Sequence, residues 1–402
     1  MPTPALETEL ADWLRLQHTP GVSRQAARGL LAAFGSPAAV FAADASALEA
    51  VAGAAAVPLL ANVPANLPEI LQRCAVWLAA STPARPRTLL TLGDTAYPPR
   101  WLQSPDPPLL VFAAGRLELT ARDAVAVVGS RHPTPQGLDN ARAFSRDLGS
   151  QGWTVVSGLA MGIDGAAHEA ALETAGGTVA VIGCGPDIAY PARHRALFDR
   201  IVEEGLLLSE FAPGTPPRPP HFPQRNRLIA SLARGTLVVE AALQSGSLIT
   251  ARLALEVGAD VFAIPGSIHS PQSRGCHALI QQGARLVESA QDVIDELVGP
   301  SVAVAGPADT PTSQREGRAR SRPRPQQPPS IPGAGSGELW ADAAASQDPL
   351  LEALGYEPVS LDALSARTGR SAADLGVRLL ELELNGLVRR LPGQLFQRIG
   401  VA

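Results

Sequence analysis

The residues best placed to do chemistry stand where short apolar runs end. The run Ala124 to Val128 gives way to Gly129-Ser130-Arg131, followed by Thr134, Pro135 and Gly137. A glycine there permits close backbone approach, the serine offers a hydroxyl and an N–H, and the arginine carries a fixed cation. Such a turn at a helix entrance suits an anionic phosphate. The spacing is not Gly-x-Gly-x-x-Gly, and no acidic residue ends the next run to hold a ribose, so NAD is disfavoured. The second loop starts at Ser157-Gly158 and runs through Met161 to Asp164 and His168. Four residues apart on a helix, Asp164 and His168 share a face. They fit either an acid–base pair or an N-cap with a structural hydrogen bond. One histidine without further ligands makes no metal site.

Further along come Gly183-Cys184-Gly185, then Tyr190, Arg193, Arg218, Phe222, Arg225 and Arg227. Guanidinium groups interleaved with aromatic rings hold single strands without reading sequence, each stacked base contributing about 1–3 kcal/mol. Glu240 then precedes Ser245-Gly246-Ser247, a second plausible phosphate seat where a run ends and a helix starts.

These loops need a scaffold, and the pattern around them supplies one. Strands are expected at 124–128, 154–156, 178–182, 206–208, 237–239, 261–264 and 285–287, with shorter ones in TLLTLGD and PPLLVFAAG. Helical patterns such as GLDNARAFSRDLGSQG and GAAHEAALETAG lie between them. Strands alternating with helices indicate βαβ units, a mostly parallel sheet and an α/β fold, with the loops gathered on one edge. Residues 1–84 read as short helices, with a turn at Pro20-Gly21-Val22 that resembles helix-hairpin-helix or SAM-type domains and equally suits an ordinary helical bundle without DNA contacts. Residues 85–298 hold the alternating core. Residues 299–347 are rich in Pro, Gly, Ser and Gln and read as a linker. Its cluster of Arg315, Arg318, Arg320, Arg322 and Arg324 is either a solvated spacer or a weak electrostatic arm. Residues 348–402 give three helices and two strands around Pro392-Gly393, the outline of a winged helix.

Composition narrows the chemistry. All 33 basic residues among the 402 are Arg. This excludes a Walker A lysine, a Schiff-base lysine and a kinase strand lysine. The net charge of −5 argues against a bulk nucleic-acid coater but leaves room for a local basic groove. The three cysteines, Cys74, Cys184 and Cys276, have neither disulfide nor metal spacing, which fits a reducing cytoplasm. The start, MPTPALETEL, lacks the basic and apolar regions of a signal peptide. The longest uncharged run, 50–68, contains Pro58, Pro64 and Pro68, so no membrane span is expected.

Taken in order, VAVVGSR, VVSGLAMGIDGAAH, VAVIGCGPDIAYP, SEF, FPQRNRLIASLA, VVEAALQSGSLITA, VFAIPGS and GCHALIQQGARLV resemble the DNA-processing protein A (DprA, or Smf) family over about 85–298. The N-terminal helices are similar to that family's SAM-like domain, and the tail to its winged helix. The resemblance implies an extended Rossmann-like fold that binds incoming single-stranded DNA in natural transformation, shields it and loads the RecA recombinase. It implies a cytoplasmic homodimer, no enzymatic activity and no cofactor. It further implies that Arg131 is the central phosphate contact, that Arg193 and Arg218 line the groove, and that Arg225 and Arg227 add to it or pair internally. His277, Ile280 and Leu286 correspond to the family's self-association edge, although Ile280 and Leu286 equally suit a core. The winged helix would touch double-stranded DNA or a protein. One departure is visible: the family often has Tyr-Pro-x-x-Asn where this chain has Tyr190-Pro191-Ala192-Arg193-His194.

Two other readings compete. Rossmann proteins of the lysine-decarboxylase-like (LOG) type hydrolyse nucleotide monophosphates beside a glycine-rich loop, and Glu240 with Ser245 to Ser247 occupies a comparable place. The characteristic Pro-Gly-Gly-x-Gly-Thr is missing. The other is a DNA-repair scaffold with no role in uptake.

Overall fold

A computed structural model describes residues 4–299, 348–391 and 393–399. The arginine cluster at Arg315 to Arg324 and Pro392 of the expected turn lie outside the described residues.

Six helices come first: α1 (Pro4–His18), α2 (Arg24–Phe34), α3 (Pro37–Ala42), α4 (Ala45–Ala52), α5 (Ala56–Ala61) and α6 (Leu67–Ala79). Ser23, Ser36 and Asp44 start α2, α3 and α4 by accepting the backbone N–H three residues on, which satisfies one of the free donors at each helix start. The turn between α1 and α2 passes through Gly21 at φ 83°, where a side chain would meet Leu59. Leu14, Leu30, Leu60 and Cys74 are buried in a core shared with Phe112, Ile182 and Leu207 of the sheet. Trp77 meets Phe112 edge to face at 5.7 Å. Arg24 and Arg28 both pair with Asp106. These helices are therefore fastened to the central fold by apolar packing and by charge.

The central elements are β1 (Arg87–Thr91), α7 (Pro99–Leu102), β2 (Leu110–Gly115), β3 (Ala124–Val128), α8 (Pro135–Ser150), β4 (Thr154–Ser157), α9 (Ile163–Leu172), β5 (Thr178–Ile182), α10 (Arg195–Glu204), β6 (Leu206–Ser209), α11 (His221–Leu232), β7 (Gly235–Val238), α12 (Ser247–Glu256), β8 (Asp260–Ala263), α13 (Arg274–Gln281), β9 (Arg285–Leu286) and α14 (Ala290–Val298). They build a nine-stranded sheet in the order β1-β2-β6-β5-β4-β3-β7-β8-β9. β1 and β2 are antiparallel additions, and β3 to β9 run parallel. Strand order reverses at β3, with β4, β5 and β6 on one side and β7, β8 and β9 on the other. Helices α8, α9 and α14 pack on one face and α11, α12 and α13 on the other. Parallel strands covered on both faces read as continuous apolar runs, which is why the β-branched segments were visible in the sequence. All loops leaving β3 to β8 reach the same edge, the one where doubly wound sheets bind ligands.

The last unit comprises α15 (Pro349–Leu354), β10 (Val359–Ser360), α16 (Leu361–Thr368), α17 (Ala372–Leu384), β11 (Val388–Leu391) and β12 (Leu395–Arg398), with the small sheet ordered β10-β12-β11. Ser360 and Ser371 cap α16 and α17, and Gly369 ends α16 in the left-handed conformation at φ 68°, a backbone geometry that glycine adopts without penalty. Strand β10 was not expected; two residues carry too little periodicity to stand out. Arg367 of α16 reaches Asp139 of α8 at 3.1 Å.

Candidate nucleic-acid interface

The loops after β3, β4 and β5 and the start of α11 enclose a small cavity of about 70 Å³. Leu159, Met161, Ile182, Pro191 and Phe222 make its walls mostly apolar, and Arg131, Tyr190 and Arg225 add polar groups. Arg131 is exposed, with its guanidinium 5.6 Å from the centre of the Phe222 ring. Tyr190, 44% exposed, lies tilted by 30° against Phe222 at 5.6 Å. Gly183 lets Phe222 approach, since a Cβ there would stand 3.1 Å from the ring. Arg193 and Arg218 are exposed on the adjoining loops, with no acidic partner among the described residues. The result is a cationic rim around two offset aromatic rings, a surface on which flat bases stack and phosphates find counter-charges.

Several expected contacts fall elsewhere. Arg225 does not face the groove: it is 4% exposed and donates to the carbonyls of Gly158 and Val181. Its helical spacing from Leu228, Ile229 and Leu232 was the available signal, because i, i+3, i+4 and i+7 share the buried face. Arg227 is likewise internal, held by Glu210 at 2.5 Å and Asp106 at 3.0 Å. Ser157 is fully buried and donates to the Val127 carbonyl, tying β4 to β3. Gly158 lines the cavity, but its N–H goes to Asp164 and its carbonyl to Arg225. A Cβ at this position would strike the Arg225 guanidinium. Gly129 serves a close approach to Ile163, and the Ser130 hydroxyl accepts from the His132 N–H. Ser245 and Ser247 bond to each other at the start of α12, with Ser247 buried and both outside the Arg131 cavity.

Glu240 also departs from the nucleotide-hydrolase reading. Its carboxylate accepts from the Thr134 N–H at 2.9 Å and from the Thr134 hydroxyl at 2.5 Å, at the N-terminus of α8. Gly137 is required there, since a Cβ would lie 2.3 Å from that carboxyl carbon. The phosphate position of the first βα turn is thus filled from within. Burial pushes the Glu240 carboxyl up, while the two Thr134 hydrogen bonds pull it down.

The second loop is held by side chains on both flanks. Asp164 is not an N-cap: Gly162 takes that place, and Asp164 accepts from Gly158 and Ala160 at 3.1 and 3.3 Å. Burial raises its carboxyl against the pull of the Arg225 guanidinium. Burial in turn lowers Arg225 to about 10, opposed by Asp164. His168 is no acid–base catalyst. Its Nε2 accepts the Leu159 N–H at 3.2 Å, so Nδ1 carries the proton and donates to Thr178 Oγ1, which donates to the Val155 carbonyl. Burial holds this imidazole neutral and drops it to about 3. Unfolded His168 takes a proton below about 6.5, whereas the folded form resists to about 3. Its contribution to stability is therefore full above pH 6.5 and is lost as pH falls toward 3, by up to about 1.4 kcal/mol per pH unit. Half-buried His18 is lowered too, by its partial burial and by Arg73, and acts in the same direction. Urea midpoints should fall between pH 7 and 5, and the slope should lessen by one proton in His168→Asn; an identical slope in that variant would refute the assignment.

At the expected self-association edge, His277 is half-buried with Nε2 3.0 Å from the Gly266 carbonyl oxygen, Ile280 packs against the core, and Leu286 is 46% exposed on β9.

The chain was compared with known proteins. Residues 88–298 match the family model described as DNA recombination-mediator protein A, and residues 324–394 match the DprA winged helix domain. The DNA processing protein DprA of Streptococcus pneumoniae is 50% identical over 203 residues, covering 50% of this chain and 72% of that protein. Protein Smf of Escherichia coli is 40% identical over 306 residues, 76% of each chain. The X-ray structure of the S. pneumoniae protein superimposes with a TM-score of 0.60 and 38% identity, over 72% of this chain and 97% of that one.

Proposed function

Because the chain belongs to the DNA recombination-mediator protein A (DprA/Smf) family and is a DNA-processing protein, we propose that it binds single-stranded DNA across the strand-end loops, protects it and loads RecA onto it during natural transformation. One observation carries the binding reading: exposed Arg131 stands over the Phe222 ring, beside Tyr190, at the mouth of a small cavity. A phosphate on Arg131 and bases on the two rings would use that arrangement fully. Arg193 and Arg218 would extend the contact along the backbone, and each neutralised phosphate adds about 0.7 to the log–log salt dependence on single strands. RecA loading, the homodimer through His277, Ile280 and Leu286, and a cytoplasmic site of action follow from the family resemblance. No helix among the described residues is long and apolar enough to cross a membrane.

The test is a salt-titrated series with single-stranded oligonucleotides. Arg131→Ala should weaken binding about tenfold at moderate salt, evenly across sequences, and lower the slope by about 0.7. Unchanged affinity in a folded variant would sink the assignment.

A further inference from the structure

His194 stands where the sequence departs from its family, and the structure gives it a definite partner. The short turn Ala192–His194 joins the loop bearing Tyr190 and Arg193 to α10. Its backbone is closed by the His194 N–H on the Pro191 carbonyl at 2.9 Å. From there the ring crosses to the second loop, with Nδ1 3.2 Å from the carbonyl oxygen of Leu159. The partner is an acceptor, so Nδ1 bears the hydrogen.

Leu159 is an unusual residue to hold. It is fully buried and adopts φ 57°, a left-handed conformation that a branched side chain disfavours. Such a residue persists only where its surroundings over-determine it. Here they do: His168 takes its N–H, His194 its carbonyl, and Asp164 the amides on either side. Three of these four bonds come from α9, within the loop's own βα unit. The His194 bond alone ties it to the segment carrying Tyr190 and Arg193. The ring of His194 also rests on Gly165, where a Cβ would stand 2.7 Å from its Cε1.

We infer that His194 is a positioning residue for DNA binding: its Nδ1–H···O bond to Leu159 couples the Tyr190–Arg193 segment to the strained second loop and so holds the Tyr190 ring against Phe222. This role rests on the binding site centred on Arg131. It predicts that the geometry of the ring platform depends on a group that touches neither base nor phosphate.

Three variants of the full chain test it in the same salt series. His194→Ala should weaken single-strand binding about three- to tenfold, the worth of one net hydrogen bond, with the salt slope lowered by no more than the ~0.7 of Arg193, because Arg131 is intact. His194→Asn should bind as the parent does, since the Asn amide nitrogen replaces Nδ1 at the same number of bonds from the backbone. Gly165→Ala displaces the ring from the opposite side while favouring the helix; it should reproduce the His194→Ala loss without lowering the melting temperature. If Arg131→Ala weakens binding while His194→Ala and Gly165→Ala bind fully, the positioning role is wrong. It is also wrong if Asn binds as poorly as Ala. Full affinity in all of these variants, Arg131→Ala included, overturns the site itself and this role with it.

Discussion

Arg225→Met is expected to cost about 3–5 kcal/mol of stability, the consequence of leaving two buried carbonyls without their donor and a buried carboxylate without the cation whose field offsets it. The arginine reaches from α11 to β5 and to the loop after β4; its guanidinium donates to Gly158, Val181 and Asn226 and its charge offsets that of Asp164. Without it the carbonyls of Gly158 and Val181 lose their donor, at about 1–3 kcal/mol for each group left unsatisfied. The Asp164 carboxylate, already raised by burial, loses the cation that opposes that shift. Methionine is flexible and close to arginine in volume, though shorter, so the loss reports charge and hydrogen bonding more than volume. Urea unfolding measures it. Adding Asp164→Asn should recover part of the loss, because the buried charge disappears, although Gly158 and Ala160 then keep only a neutral acceptor. A loss under about 1 kcal/mol for Arg225→Met would mean that the side chain is not the internal strut described.

The second large effect concerns affinity. Changing Arg131, Arg193 and Arg218 together to Ala should lower the log–log salt slope by about 2, three contacts at about 0.7 each. At moderate salt the affinity should fall about a hundredfold or more, on homopolymeric and mixed sequences alike, because phosphate contacts carry no sequence information. None of the three forms an ion pair among the described residues; Arg131 helps offset the buried Asp164 carboxylate only after Arg225 and two backbone N–H groups, so folding should be preserved. Arg227→Ala is the control. It also removes a cation, yet one committed to Glu210 and Asp106, so it should lower stability while leaving the slope unchanged. An equal drop in slope for Arg227→Ala would show that the loss of salt dependence does not discriminate groove arginines from internal ones.

The arginines show where sequence reading succeeds and where it stops. The parallel strands were legible because burial on both faces leaves uninterrupted apolar runs such as Ala124–Val128 and Thr178–Ile182, both found with those limits. The loops at their ends were legible because glycine, serine and arginine interrupt those runs. Which arginine faces solvent was not. Arg225 and Arg227 lie two apart in one motif with Asn226 between them; the helical spacing of Arg225 from Leu228, Ile229 and Leu232 signals a buried face, but the carbonyl cage that receives it and the carboxylate pair that receives Arg227 appear only in three dimensions. Asp164 and His168 were found as a pair on one face, but apart from Thr178 their partners are backbone groups of a loop, which leave no mark in residue types. The left-handed Leu159 was hidden for the same reason: a leucine gives no hint of positive φ, whereas Gly162 at φ 83°, three residues later, does. The absence of lysine means that Arg131, Arg193 and Arg218 all present planar guanidinium groups, which suit bidentate contacts to a phosphate.

The carboxylate of Glu240 has a consequence for selectivity in a cell crowded with small phosphorylated metabolites. A doubly wound sheet ordinarily leaves its first helix start open to them. Here the counter-ion of α8 is covalently part of the chain, so its occupancy does not vary with any metabolite pool. Free nucleotides would have to displace a tethered rival that is always present at the helix start. On the proposed binding mode, a polymer engaging the neighbouring rim through many phosphates at once would face no such competitor, which would bias the same edge toward long ligands over short ones.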